Sequence, residues 1–192
     1  MPVKEVSPVE RIVVIGASAG GFSALQTIFS ELGSKFNFPI LVCKHLGIGD
    51  EKGLVDVLAK RTGTTVLLSQ DKLPMHNGCI YMAPGNYHLQ VESREMLSLS
   101  VDERVCHSRP AIDVLFESAA EVFGENVTAI VLTGATSDGA AGVRAVKEAG
   151  GKVVAQSPES AEVKIMPKAA IETGCTDAIL DLADIASYLR QP

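Results

Sequence analysis

The chain has 192 residues, 46% of them apolar, and carries a net charge of −6, which suits one domain with a sizeable core. The acidic balance, with no basic run or basic face interleaved with aromatics, excludes nucleic acid as a partner. No apolar run approaches the roughly 20 residues needed to span a bilayer, and the N-terminus lacks a signal-peptide core, so direct membrane insertion is excluded and a soluble cytoplasmic protein is expected.

Residues 1–10, with two prolines and mixed charge, read as a leader, and residues 11–192 as a single domain. Ile12, Val13, Val14 and Ile15 form a buried strand that runs into Gly16-Ala17-Ser18-Ala19-Gly20. An amphipathic helix follows, with Phe22, Leu25, Ile28, Phe29 and Leu32 on one face. Residues 39–45 read as a second buried strand ending in His45, and Asp50 is placed to cap a helix in which Leu54, Val57, Leu58 and Arg61 have helical spacing. Residues 64–68 form a short third strand.

From Gly78 to Val101 the pattern changes. Residues 79–83, a Pro84-Gly85-Asn86 turn, residues 87–91 and residues 96–101 read as short strands with few helical signals, hence as an antiparallel hairpin inserted in the framework. Pro110 opens the next helix, with Ile112, Leu115, Phe116, Ala119 and Val122 as its core face and Gly124 as its stop. Residues 128–132 (TAIVL) form a strand leading to Thr133-Gly134-Ala135-Thr136-Ser137-Asp138-Gly139, then a helix over 140–149 and a strand over 152–156. A helix from about Pro167 to Gly174, a short strand at 178–180 and a helix from Leu182 to Arg190 finish the chain. The alternation predicts an α/β fold: a doubly wound, mostly parallel sheet in a three-layer α/β/α arrangement, with the inserted hairpin.

The glycine-rich turn after the first strand serves three chemistries: a pyrophosphate cradle, a serine nucleophile in G-x-S-x-G, or a plain helix cap by Ser18. A nucleotide site is disfavoured because Ser18 replaces the middle glycine of the dinucleotide fingerprint, and Lys44 and His45 stand where an acid should meet a ribose. In an open α/β sheet the site lies at the carboxyl ends of the strands, where neighbouring loops diverge. Ser18, His45 and Asp138 each follow a strand there, and a serine, an imidazole and a carboxylate are the parts of a nucleophile, its base and the base's orienting group. Their order along the chain differs from that of the ordinary α/β hydrolases. Cys43, Cys79, Cys106 and Cys175 are too scattered for a metal clip or a disulfide framework and read as reduced thiols.

The motifs IGASAGG, KHL, IYMAPGNYHL, SRPAIDVLFESAA, TGATSDGAAGV and AQSPES with MPKAAI, in that order and spacing, resemble the catalytic domain of the chemotaxis protein-glutamate methylesterases, the CheB family. The resemblance implies Ser18 as nucleophile, His45 as base and Asp138 as the triad acid, with the backbone N–H of Ala135 as oxyanion donor and the loop containing Ala19 beside it. It implies hydrolysis of glutamate methyl esters on the cytoplasmic helices of chemoreceptors, or on another glutamate-methylated protein, with methanol released. Some members also deamidate glutamine, and no metal or organic cofactor is implied. Arg109 is a candidate to orient a substrate carboxylate or an acidic receptor surface, and His88 is expected to line or support the cleft. Asp113, near a helix start, is explained by the helix dipole alone.

Departures from the family pattern are Ala135-Thr136, where a methionine and a glycine are usual, Ala19 in place of a hydroxyl residue, and Lys164-Ile165 before Met166-Pro167. A threonine disfavours any positive φ that the glycine permits, so a catalytically weak binding or scaffold protein of the same fold is the alternative. The receiver domain that usually precedes this catalytic domain has no counterpart in residues 1–10. The initiating methionine favours a stand-alone esterase over an excised fragment.

Overall fold

The computed structural model describes residues 9–45 and 51–191. A seven-stranded parallel sheet forms the middle layer. Its strands are β1 (Ile12–Ala17), β2 (Ile40–Lys44), β3 (Thr65–Leu68), β4 (Cys79–Met82), β7 (Val127–Val131), β8 (Lys152–Gln156) and β9 (Ala178–Leu180), in the order β3-β4-β2-β1-β7-β8-β9. The winding runs outward from β1 through β2, then returns to β7 on its other side. The topological switch point therefore lies between β1 and β7, which pair with Val14 opposite Ala129.

Side chains alternate between two cores, as strand geometry requires. Ile12 and Val14 of β1, Leu41 of β2, Ala129 of β7 and Val153 of β8 point into one. Val13, Ile15, Val42, Ile130 and Val154 point into the other. Helices α3 (Ile112–Phe123), α4 (Ala140–Glu148) and α5 (Ile165–Glu172) close the first core, and α1 (Gly21–Leu32), α2 (Glu51–Thr62) and α6 (Leu182–Leu189) the second. Both faces are covered, which accounts for strands that are apolar throughout rather than alternating with polar residues.

The structure differs from the sequence reading in one element. Residues 79–82 belong to the main parallel sheet, between β3 and β2, and not to an antiparallel hairpin. Ile80, Tyr81 and Met82 are buried on both faces. The connection from β3 has no helix to advertise the crossover, and Leu73 and Met75 instead bond to the hairpin through Leu97 N–H to Leu73 O and Met75 N–H to Glu95 O. The hairpin itself is β5 (His88–Ser93) with β6 (Met96–Ser100), a separate two-stranded sheet whose Leu89, Val91 and Leu97 enter the first core. The Asp50 cap and residues 1–8 of the expected leader lie outside the described residues. Val9 is buried in the core, so the leader reading stops short of it. Among the described residues no helix is long and apolar enough to cross a membrane.

Close packing on the α3–α4 side depends on two missing side chains. A Cβ at Gly16 would lie 2.4 Å from Ile112 Cγ2, and one at Gly142 would lie 2.5 Å from Phe116 Cβ. The start of α3 thus rests directly on β1, and α4 directly on α3. Alanine in a helix gains about 0.5–1 kcal/mol over glycine, but overpacking costs about 1–3 kcal/mol. Gly142→Ala is therefore expected to destabilise the fold by about 1–2 kcal/mol. Urea unfolding should show a lower midpoint at unchanged slope, whereas a raised midpoint would mean that α4 moves away freely.

Candidate active site

The three sequence candidates are anchored where the parallel ladder continues one bond past the strand ends. Ser18 N–H donates to Thr133 O at 3.0 Å and His45 N–H to Ala17 O at 3.1 Å, so the chain leaving β1 is fixed to the chain leaving β7, and the chain leaving β2 to that leaving β1. α1 is N-capped by Gly20 in a left-handed conformation, with no side-chain cap. The Ser18 hydroxyl is consequently not spent on capping, and Ser18 itself is not among the residues of positive φ. The strained turn of the α/β-hydrolase elbow is replaced by a strain-free serine with its glycine two residues on.

Ser18 Oγ lies 3.3 Å from His45 Nδ1, and His45 Nε2 lies 2.8 Å from Asp138 Oδ2. With Nε2–H donating a hydrogen bond to the carboxylate, Nδ1 is left as the acceptor facing the hydroxyl. The Ser18 contact is long for an O–H···N bond, as is usual where no substrate is bound.

Asp138 is fully buried and has more partners than the imidazole. Its Oδ2 also accepts from Ile112 N–H at 2.8 Å, and its Oδ1 from Asp113 N–H at 3.0 Å. These are the first N–H groups of α3, whose own N-cap, Ala111, offers no side-chain acceptor. The triad acid is thus the helix cap of a neighbouring element. Burial pushes its pKa up, but the bonds from His45 and the two N–H groups outweigh burial and hold it below the ordinary carboxylate value.

The favour is returned by Asp113, which sequence reasoning left to the helix dipole. It is buried, and its Oδ1 accepts from Gly142 N–H in the first turn of α4 at 2.7 Å. Each helix therefore caps the other through an acid at its own start. Burial, with the negative charge of Asp138 added, raises the Asp113 carboxyl to about 6. Cys106 Sγ and carboxylate oxygens of Asp113 and Asp138 lie within 4.8 Å of one another. The Asp138 oxygens are taken by N–H donors, and burial and the two acids push the thiol pKa up, so this donor set does not suit a metal.

A second buried polar chain holds the loop after β7. Thr133 N–H donates to Gln156 Oε1 at 2.8 Å, Thr133 Oγ1 donates to Ala19 O at 2.9 Å, and Val163 N–H donates to Thr133 Oγ1 at 2.8 Å. Thr133 and Gln156 were missed by sequence reasoning. The available signal is a polar residue at the end of an otherwise apolar strand. A Cβ at Gly134 would sit 2.5 Å from Met166 Cε and 2.9 Å from Ser18 Cβ, so the loop after β7 packs closely against the serine. Neither Ala135 nor Thr136 has a positive φ, so the loss of the family glycine introduces no strain. Thr136 instead accepts a hydrogen bond from Asp138 N–H at 3.3 Å. Among the described residues the N–H groups of Ala19 and Ala135 meet no acceptor.

Two other candidates take different places. His88 is buried, accepting at Nδ1 from Ala111 N–H at 3.2 Å and donating at Nε2 to Glu103 O at 3.0 Å, so it supports the entry to α3 and does not line the cleft at the serine. Arg109 spends its guanidinium on Val101 O, Asp102 O and Asn86 Oδ1 while facing a cavity shared with His45. All four cysteines are free thiols.

The sequence and the fold are ones that known proteins share. The CheB methylesterase family model matches residues 13–189. A putative protein-glutamate methylesterase/protein-glutamine glutaminase of Leptospira interrogans is 42% identical over 174 residues, covering 91% of this chain and 90% of the relative. The protein-glutamate methylesterase/protein-glutamine glutaminase of Clostridium acetobutylicum is 34% identical over 177 residues, covering 92% of this chain and 51% of the relative. The chain thus spans nearly the whole of the first and about half of the second. The crystal structure of the Thermotoga maritima CheB methylesterase catalytic domain superposes with a TM-score of 0.90 at 34% identity, covering 94% of this chain and 97% of that one. With sequence and fold in agreement over nearly its whole length, the chain belongs to the CheB methylesterase family.

Proposed function

We propose that this protein hydrolyses glutamate methyl esters on the cytoplasmic helices of chemoreceptors, releasing methanol, and deamidates glutamine there by the same route. The observation that carries the reading is the continuous hydrogen-bonded line from Ser18 Oγ through the His45 ring to Asp138. Ser18 Oγ attacks the ester carbonyl carbon while its proton passes to His45 Nδ1. The carbonyl oxygen becomes an oxyanion, and the unclaimed N–H groups of Ala135 and Ala19 are the donors at hand. Collapse expels methoxide, which takes the proton from Nδ1 and leaves as methanol. Water, deprotonated by the same nitrogen, then attacks the acyl-serine, releasing the glutamate carboxylate and returning the proton to Ser18. Asp138 stays ionised throughout and offsets the charge of the imidazolium. With an amide, ammonia leaves in place of methanol.

Ser18→Ala and His45→Ala are each expected to lower kcat for methanol release from a glutamate-methylated receptor fragment by about 10⁶, with the double variant hardly worse, because the two act as one unit. Full activity in a folded Ser18→Ala protein would remove the assignment. Asp138→Ala should differ in kind. It strips two N–H groups of α3 of their cap, so a loss of about 1–2 kcal/mol in urea unfolding should accompany a fall in kcat of about 10⁴. A rate loss at unchanged stability would mean that α3 finds another cap.

Keeping two acids together behind the imidazole makes stability depend on pH, with opposite signs. Asp113, raised to about 6 when folded, holds a proton that the unfolded chain releases, so its contribution falls as pH rises from about 4 to 6 and is level above that. Asp138, lowered when folded, contributes fully above the ordinary carboxylate value, and its contribution is lost as pH falls through its folded pKa. Asp113→Asn keeps an acceptor for Gly142 N–H and removes the charge. It should abolish a decline of about 3 kcal/mol in unfolding free energy between pH 4 and 6. Urea curves across pH 4–8 that keep the wild-type slope would reject this account.

A further inference from the structure

The loop between β6 and α3 sorts its charges onto two sides. Asp102 and Glu103 line a cavity of about 280 Å³ that they share with Glu117 and Glu121 of α3. Arg104, His107 and Arg109 line another, of about 180 Å³, together with His45, Ser108 and Pro110. Among the described residues, the lining beside His45 carries two guanidinium groups and two imidazoles and no carboxylate. This occurs in a chain of net charge −6.

The loop is built to hold that face. Val105 and Ser108 exchange backbone hydrogen bonds at 3.2 and 2.8 Å, closing a two-residue turn in which Cys106 and His107 both adopt left-handed φ, 48° and 64°. Two consecutive non-glycine residues in that region cost conformational energy. Arg109 is pinned by three acceptors, and among the described residues its buried Nε–H has no partner. The ion pairs of the described residues are His45–Asp138, Lys72–Glu92 and Lys147–Asp177, so neither arginine has a carboxylate within ion-pair reach. Among the described residues Arg104 makes only a marginal contact, Nη1 to His107 O at 3.5 Å, and it is exposed. One cation is thus fixed in the wall and a second is free to close on a ligand.

We infer that this pocket is a carboxylate subsite, which selects esters and amides carried on acidic segments by binding an acidic side chain adjacent to the reacting one. The inference rests on the esterase reading for the identity of the reacting group. Long-range repulsion from a net-negative protein disfavours an acidic segment, so a local pair of guanidinium groups is what makes such a segment a preferred substrate. Charge-assisted contacts at a partly exposed site supply roughly three- to tenfold in affinity.

The test uses two sets of peptides, methylated on one glutamate and differing only in glutamate or glutamine at the flanking positions. At low salt the acidic member is expected to have the higher kcat/KM, by roughly three- to tenfold. Arg104→Gln should bring that ratio near one. Arg144→Gln, which removes an equal charge on the exposed side of α4, should leave the ratio as it is. A ratio of one in the wild type, or a ratio unaffected by Arg104→Gln, overturns the subsite. Binding of the corresponding unmethylated glutamine peptides to the Ser18→Ala protein, read by fluorescence anisotropy, separates the two readings. A preference for acidic flanks that Arg104→Gln erases upholds the subsite even if no methanol is released by the wild type. Methanol release with no preference in either measurement upholds the esterase and rejects the subsite.

Discussion

The structure depends above all on the reciprocal capping of α3 and α4. Asp138, just before α4, takes the first N–H groups of α3, and Asp113, on α3, takes Gly142 N–H of α4. Two buried acids close together repel, and the raised Asp113 carboxyl records that cost. The arrangement is tolerated because Asp138 meets two helix-end donors and Asp113 a third, all of which would otherwise be buried without acceptors. Its consequence is functional. The oxygen that caps α3 is the one that holds His45, so the orientation of the imidazole is set by the rigid docking of two helices.

That docking relies on absent side chains and on a second polar chain. Gly16 lets Ile112 sit on β1, which brings its N–H to Asp138. On the other side, Gln156, Thr133 and Ala19 are joined by hydrogen bonds that tie the strand ends of β8 and β7 to the start of α1. The serine, the imidazole and the unclaimed N–H groups therefore rest on secondary structure from several neighbouring elements, the condition for preorganised stabilisation of developing charge. The Ala135-Thr136 departure fits the same scheme, since the threonine hydroxyl accepts a bond from Asp138 N–H without any positive φ.

The charge distribution adds a layer that the fold alone does not require. A net-negative protein presents a basic wall next to its candidate base, and the acids of the same loop line a separate cavity. The loop that divides them is held by His88 and Arg109, neither of which reaches the serine. Both were legible as polar residues near the site. Their roles are to shape it.

Hydrophobic pattern and turn residues by themselves determined the doubly wound sheet, all but one of its strands, and the placement of Ser18, His45 and Asp138 at strand ends. Buried parallel strands must be continuously apolar, and loops must diverge at their carboxyl ends, so these features are local in sequence. The position of β4 was decided only by tertiary structure, because a short apolar run is equally good in a hairpin or in a parallel sheet until its neighbours are known. The same holds for Asp113, Thr133 and Gln156. A single buried polar side chain has no periodicity, and its partner lies 23 or more residues away. Only the folded chain brings donor and acceptor together, and so only it decides what those residues do.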